Sequence, residues 1–143
     1  LDVVELAAPL VRWAREGLVP ELAGLEADGR CRLHIADVAD VLGGRRGPAG
    51  PWDVVLLDVD NGPGFLVHEH NDRLYADTGL LAAYEALAPG GLLVVWSSHA
   101  SPGLLAGLVE VGEPRGGSAG ERVLTVTRDG RTLDYALYTL RRP

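Results

Sequence analysis

Two runs of consecutive apolar residues, 54–57 and 92–96, interrupt the mixed pattern of the rest of the chain. A strand that is apolar at every position belongs inside a parallel sheet, so both runs are expected to be buried on both faces. Residues 1–6 have strand composition. Leu10, Val11, Ala14 and Leu18 then keep helical spacing behind Pro9, which suits a first helical turn. Residues 21–29 read as a short polar, helical connection. Cys31, Leu33 and Ile35 alternate with Arg32, His34 and Ala36, the pattern of a half-exposed strand, and residues 37–42 read as a strand end running into a helix capped by Asp37.

Residues 43–51, rich in Gly and Pro, predict a surface loop ahead of the first apolar run. Residues 65–75 predict a mobile polar lid. Asp77 then caps a helix whose stripe is Leu80, Leu81, Tyr84, Leu87 and Ala88, with Pro89-Gly90-Gly91 as its stop. Residues 102–109 predict another helix and residues 112–120 a flexible loop. Asp129-Gly130, between apolar stretches 123–127 and 132–140, is a strong local signal for an antiparallel hairpin. The order strand, helix, strand, helix, strand, helix, strand, helix, hairpin specifies an α/β fold with a mostly parallel sheet and a C-terminal antiparallel hairpin.

With 143 residues and 47% hydrophobic composition, the chain is expected to form one domain, 1–143. The net charge of -7 argues against a nucleic-acid surface. All 13 basic side chains are Arg, which excludes a lysine-dependent phosphate loop and Schiff-base chemistry. The single Cys31 fits a reducing compartment, and no apolar run approaches the roughly 18 residues of a membrane span. A soluble, cytoplasmic protein without membrane contact is the expectation.

Candidate chemistry gathers at strand ends. Glu5, Asp37 and Asp58 each close a predicted strand, and ligands of open α/β sheets bind outside the carboxyl ends of the strands. Taken singly, each is also explained as a solvated strand end, a cap or a turn. Three in succession suggest a nucleoside-type pocket, with Asp58, Asp60 and Asn61 forming a polar corner. His68, Glu69, His70 and Asp72 lack a metal-binding helical spacing, so no metal is expected.

Val3-Val-Glu-Leu6, Ala36-Asp37, Trp52-Asp-Val-Val-Leu-Leu-Asp58 and Leu87-Ala-Pro-Gly-Gly-Leu-Leu-Val94 together resemble the class I S-adenosylmethionine-dependent methyltransferase superfamily. The segment Asp58-Val-Asp-Asn-Gly-Pro63 makes the resemblance narrower, to the spermidine synthase-like family. The resemblance implies a Rossmann-like fold and a transferase whose donor is S-adenosylmethionine or decarboxylated S-adenosylmethionine. It makes Glu5 the ribose-binding acid, Asp37 with Val38 the adenine-binding pair, and Asp58 the acid that orients and helps deprotonate an attacking amine. Asp60 or Asn61 takes the second polar position, Tyr75 helps to close the lid, and Trp96 stands where the family's aminopropyltransferases carry Gln.

The segment after Asp58 is also shorter than in those enzymes, so aminopropyl transfer to a polyamine and methyl transfer to another small molecule both stand open. A non-catalytic binding or dimerisation module is the third reading. Homodimers are usual in the family, although no exposed apolar stripe in the sequence identifies an interface. The family's glycine-rich turn lies roughly 20 residues before the ribose acid. Glu5 is too near Leu1 for that turn to be present, so an N-terminally shortened domain without its first strand is expected.

Overall fold

The computed structural model describes residues 1–22, 24, 26–27 and 29–143. It divides into two compact units, Leu1–Ala49 and Gly50–Pro143.

In the first unit, β1 (Asp2–Glu5) leads through α1 (Ala8–Arg15) to β2 (Arg32–Ile35) and α2 (Val38–Leu42). The strands pair in parallel, from Asp2 opposite Arg32 to Glu5 opposite Ile35. Pro9 occupies the first turn of α1, where its missing N–H costs nothing. Only Val11 and Ala14 of the predicted stripe are buried; Leu10 and Leu18 are exposed, because the small two-stranded sheet covers a narrow arc of the helix. Cys31, Ala36, Val41 and Leu42 complete this modest core. Polar contacts supplement it. Asp2 accepts two bonds from the Arg32 guanidinium, at 2.9 and 3.0 Å, and lies 2.8 Å from His34 Nε2. The connection expected over 21–29 consists of turns where it is described; Ala23, Leu25 and Asp28 lie outside the described residues.

In the second unit, β3 (Trp52–Leu57), α3 (Asp72–Tyr75), α4 (Asp77–Glu85), β4 (Leu87–Ser97), α5 (Pro102–Gly112), β5 (Ser118–Arg128) and β6 (Arg131–Arg141) follow in order. The sheet order is β3-β4-β6-β5, parallel between β3 and β4 and antiparallel across the other two pairings. The expected α/β architecture with a C-terminal hairpin is thus present. Asp129 and Gly130 both have positive φ, 51° and 71°, as a two-residue turn matched to strand twist demands.

One face of this sheet carries Leu57, Leu93, Val95, Ala136, Tyr138 and Leu140, all buried. Leu80, Ala83 and Tyr84 of α4 and Leu104, Leu108 and Val111 of α5 are buried with them. Each large side chain so buried stabilises the fold by about 1.5–3 kcal/mol relative to exposure. The opposite face is different. Val54 and Leu56 are 53% and 67% exposed, which corrects the expectation that 54–57 is buried on both sides. β3 is an edge strand of its sheet, paired among the described residues with β4 alone, and alternation turns these two residues away from the buried face.

Three further boundaries differ from expectation. Leu87 and Ala88 start β4 instead of ending α4, because Pro89-Gly90-Gly91 lies inside the strand, at a register shift opposite Trp52 and Val54. Arg142 secures this junction, donating to the carbonyls of Glu85 and Leu87 at 3.0 and 2.6 Å. Asp77 is the first residue of α4 and not its cap; Ala76 caps the helix without a side-chain bond. Residues 118–120, expected in a loop, begin β5, since β6 supplies partners along its full length.

Candidate functional site

In the first unit, the parallel register brings the ends of β1 and β2 to one edge. Glu5 is opposite Ile35, and its carbonyl accepts from Ala36 N–H at 3.2 Å, so Glu5 and Asp37 leave the same side of the sheet. Both have local work. Glu5 Oε1 accepts from Ala7 N–H at 2.6 Å, shaping the turn into α1. Asp37 caps α2, its Oδ1 accepting from Ala39 N–H at 2.8 Å, and Val38 opens the helix half-buried. The cap expected from sequence is therefore present. Glu5 is half-buried, and its Oε2 engages no protein donor among the described residues.

In the second unit, Asp58 follows β3 directly and is exposed, with no hydrogen bond or ion pair to protein among the described residues. Asp60 is its opposite. Only 5% exposed, it accepts from Val67 N–H at 2.7 Å and Asn71 Nδ2 at 3.2 Å through Oδ1, and from the Tyr75 hydroxyl at 3.4 Å through Oδ2. A buried carboxylate needs such donors to offset its lost hydration. Burial first, then the Asp60 charge and hydrogen bond and the charge on Asp58, raise the Tyr75 phenol above the ordinary tyrosine value. Tyr75 is held as a protonated donor. The segment expected as a polar lid is thus tied to Asp60 by three bonds, with Leu74 of α3 buried beneath it.

Asn61 contributes its backbone. Its carbonyl accepts from Ser98 N–H at 3.1 Å and from Ser98 Oγ at 2.6 Å, fastening the turn after β3 to the turn after β4. Ser97, fully buried, donates from Oγ to the His99 carbonyl at 2.8 Å. Gly62 makes the close approach feasible: at φ +107° it adopts a backbone state that L side chains avoid, and a Cβ there would overlap Ser97 Oγ. His99 packs its ring at 85° to Phe65, centroids 4.9 Å apart. The buried Tyr138 hydroxyl anchors the entry to α5, accepting from Ser101 N–H and donating to Glu121, both at 2.5 Å.

The structure therefore brings Asp58, Asp60, Asn61 and Tyr75 to one corner and adds Ser98 and His99, which the sequence pattern does not single out. Their only signal is position, since Ser97-Ser98-His99 leaves the second apolar run at its carboxyl end. Trp96 lies on the other face of β4 from Ser97 and stacks on Tyr135 with centroids 5.5 Å apart. Among the described residues no cluster of His, Cys, Asp and Glu has the arrangement of a metal site. Nor is any described helix long and apolar enough to cross a membrane.

Comparison with solved structures decides the fold. The chain superposes on a probable spermidine synthase from Corynebacterium glutamicum with a TM-score of 0.63 and 24% identity, covering 96% of this chain and 46% of that one. Spermidine synthase from Thermotoga maritima gives a TM-score of 0.60 at 16% identity, covering 99% and 44%. Human methyltransferase-like protein 13, solved with SAH, gives 0.59 at 22%, covering 96% and 59%. This is the spermidine synthase and methyltransferase fold. The chain spans less than half the length of the two spermidine synthases. No protein-family model matches the sequence, and no curated protein does.

Proposed function

We propose that the protein is a transferase that moves an alkyl group from an S-adenosylmethionine-type sulfonium to an amine. The observation that carries this reading is Asp58: an exposed carboxylate without a protein partner among the described residues, at the carboxyl end of β3, beside an ordered Asp60–Tyr75 cluster. An unengaged anion in that position can hold and orient a cationic amine. The fold is shared with proteins solved with SAH and with the transition-state analogue AdoDATO.

The residues present suit an adenosine-bearing donor. Glu5 Oε2 is open to ribose hydroxyls, and Asp37 with the Val38 backbone stands at a strand end where an adenine edge can be read. The donor supplies an electrophilic carbon whose bond to sulfur breaks with the electron pair remaining on sulfur. Asp58 orients the nucleophile by charge, while the Asp60 and Tyr75 pair keeps the corner in shape. Aminopropyl transfer to a polyamine, with the decarboxylated donor, is the finer reading. Methyl transfer is the second, favoured by the half-buried Val59 next to Asp58, which makes the acceptor side more apolar.

Calorimetric titration with S-adenosylmethionine and with decarboxylated S-adenosylmethionine, followed by product mass, tests both. Binding of the decarboxylated donor with an aminopropyl mass gain supports the finer reading, and the methyl gain supports the second. Failure to bind either donor favours a non-catalytic module. Asp58→Asn should abolish transfer and spare donor affinity; undiminished turnover in that variant removes Asp58 from the role.

A further inference from the structure

His99 follows the carboxyl end of β4, which pairs with the strand that Asp58 follows, and the tautomer of its ring is set by its neighbours. Ser98 has one hydroxyl proton. Its Oγ lies 2.6 Å from the Asn61 carbonyl, which can only accept, so that proton is directed there. The same oxygen lies 3.1 Å from His99 Nδ1. With its hydrogen already donated, Ser98 Oγ can only accept from Nδ1, so Nδ1 carries the ring hydrogen. In the neutral imidazole Nε2 is then a bare lone pair. No protein partner reaches Nε2 among the described residues.

The ring is also held in place. Ser97 Oγ pins the His99 carbonyl, Phe65 sets the ring plane, and Gly64 lies against Nε2, where a Cβ would stand 3.3 Å away. We infer that His99, through Nε2, is the proton acceptor for the nucleophile that Asp58 orients.

This inference rests on the transferase reading and deepens it by dividing labour. Asp58 attracts a protonated amine, and His99 removes its proton. The N–H bond breaks with its proton going to Nε2, and the electron pair left on nitrogen forms the new C–N bond. The donor's C–S bond breaks as that bond forms, its pair leaving with sulfur as a neutral thioether. The imidazolium returns its proton to solvent.

Two measurements test it. In the 15N-labelled protein, long-range proton–nitrogen correlation should show Nδ1 protonated and Nε2 bare, with Nε2 shifting when 1,4-diaminobutane is added. A protonated Nε2 in the neutral ring, or no response to the diamine, overturns the inference whatever the activity. In transfer assays, His99→Asn keeps a donor near Ser98 but lacks Nε2. It should lower kcat about 100-fold or more, the usual scale of general-base catalysis, with KM and donor affinity unchanged. An unchanged kcat overturns the role of His99 while leaving the transferase reading intact. Wild-type protein that binds neither donor sinks the transferase reading, and His99 as its base falls with it.

Discussion

The two units put their strand-end carboxylates to opposite uses. In Leu1–Ala49 the candidate acids are structural as well, Glu5 shaping the entry to α1 and Asp37 capping α2. In Gly50–Pro143 the two roles are separated: Asp60 is buried and satisfied by three donors, and Asp58 is left exposed. The contrast follows the size of each core. Four-residue strands and a few small apolar side chains make the first unit dependent on caps and ion pairs, whereas eleven-residue strands packed against α4 and α5 give the second enough burial to leave an anion unengaged.

Core truncation should break the comparison most forcefully. Leu93→Ala, at a fully buried position on β4, is expected to cost about 2–5 kcal/mol in urea unfolding. Val11→Ala in the first unit should cost about 1–2 kcal/mol. A loss for Leu93→Ala no larger than that for the smaller truncation Val11→Ala would overturn this ranking of the two cores.

Removing Asp60 tests the structural half of the second unit's division of labour. Asp60→Ala leaves the Val67 N–H and Asn71 amide without their acceptor, for about 1–3 kcal/mol, and should speed amide exchange over residues 65–75. Protection that survives the substitution would show that the segment is held by something other than Asp60.

Asp37 offers a finer discrimination. Asp37→Ala should cost about 1 kcal/mol through the lost cap, and Asp37→Ser, another good cap, should recover most of it. Donor affinity measured on both variants separates the roles: if Ser restores stability without affinity, the carboxylate reads the nucleoside.

The smallest effects concern pH, and they have opposite signs in the two units. Bonds from Arg15 and from Leu33 N–H lower Glu26 from near 4.5 to about 2. Because the folded value is depressed, its stabilisation is present above about 4.5 and is lost as pH falls toward 2. Tyr75 is raised above 10, chiefly by burial, so its contribution is complete below 10 and declines as pH rises further. Residue-resolved hydrogen exchange should show the first unit loosening on the acid side and the second on the alkaline side. The same side failing first in both would contradict this assignment.

Much of the fold is legible along the chain because it is local. The Asp37 cap depends on Ala39, two positions on, and the hairpin turn depends on Asp129 and Gly130 alone. The boundary between α4 and β4 is misplaced from sequence for a related reason: Pro89 and the two glycines look like a helix stop, but parallel pairing with β3 accommodates them in the strand at a register shift.

The sequence by itself determined the α/β order, the hairpin and the presence of acids at strand ends, since period, cap and turn chemistry act over a few residues. Tertiary structure decided which acid is buried, which face of β3 meets water, and that the turn after β4 closes on the turn after β3. Those outcomes depend on partners distant in the chain, such as Asn61 with Ser98 and Tyr75 with Asp60. A composition such as Asp-Val-Asp-Asn does not say which carboxylate will be buried among three donors and which will be left exposed. That choice is made only when the strands pair and the helices cover one face.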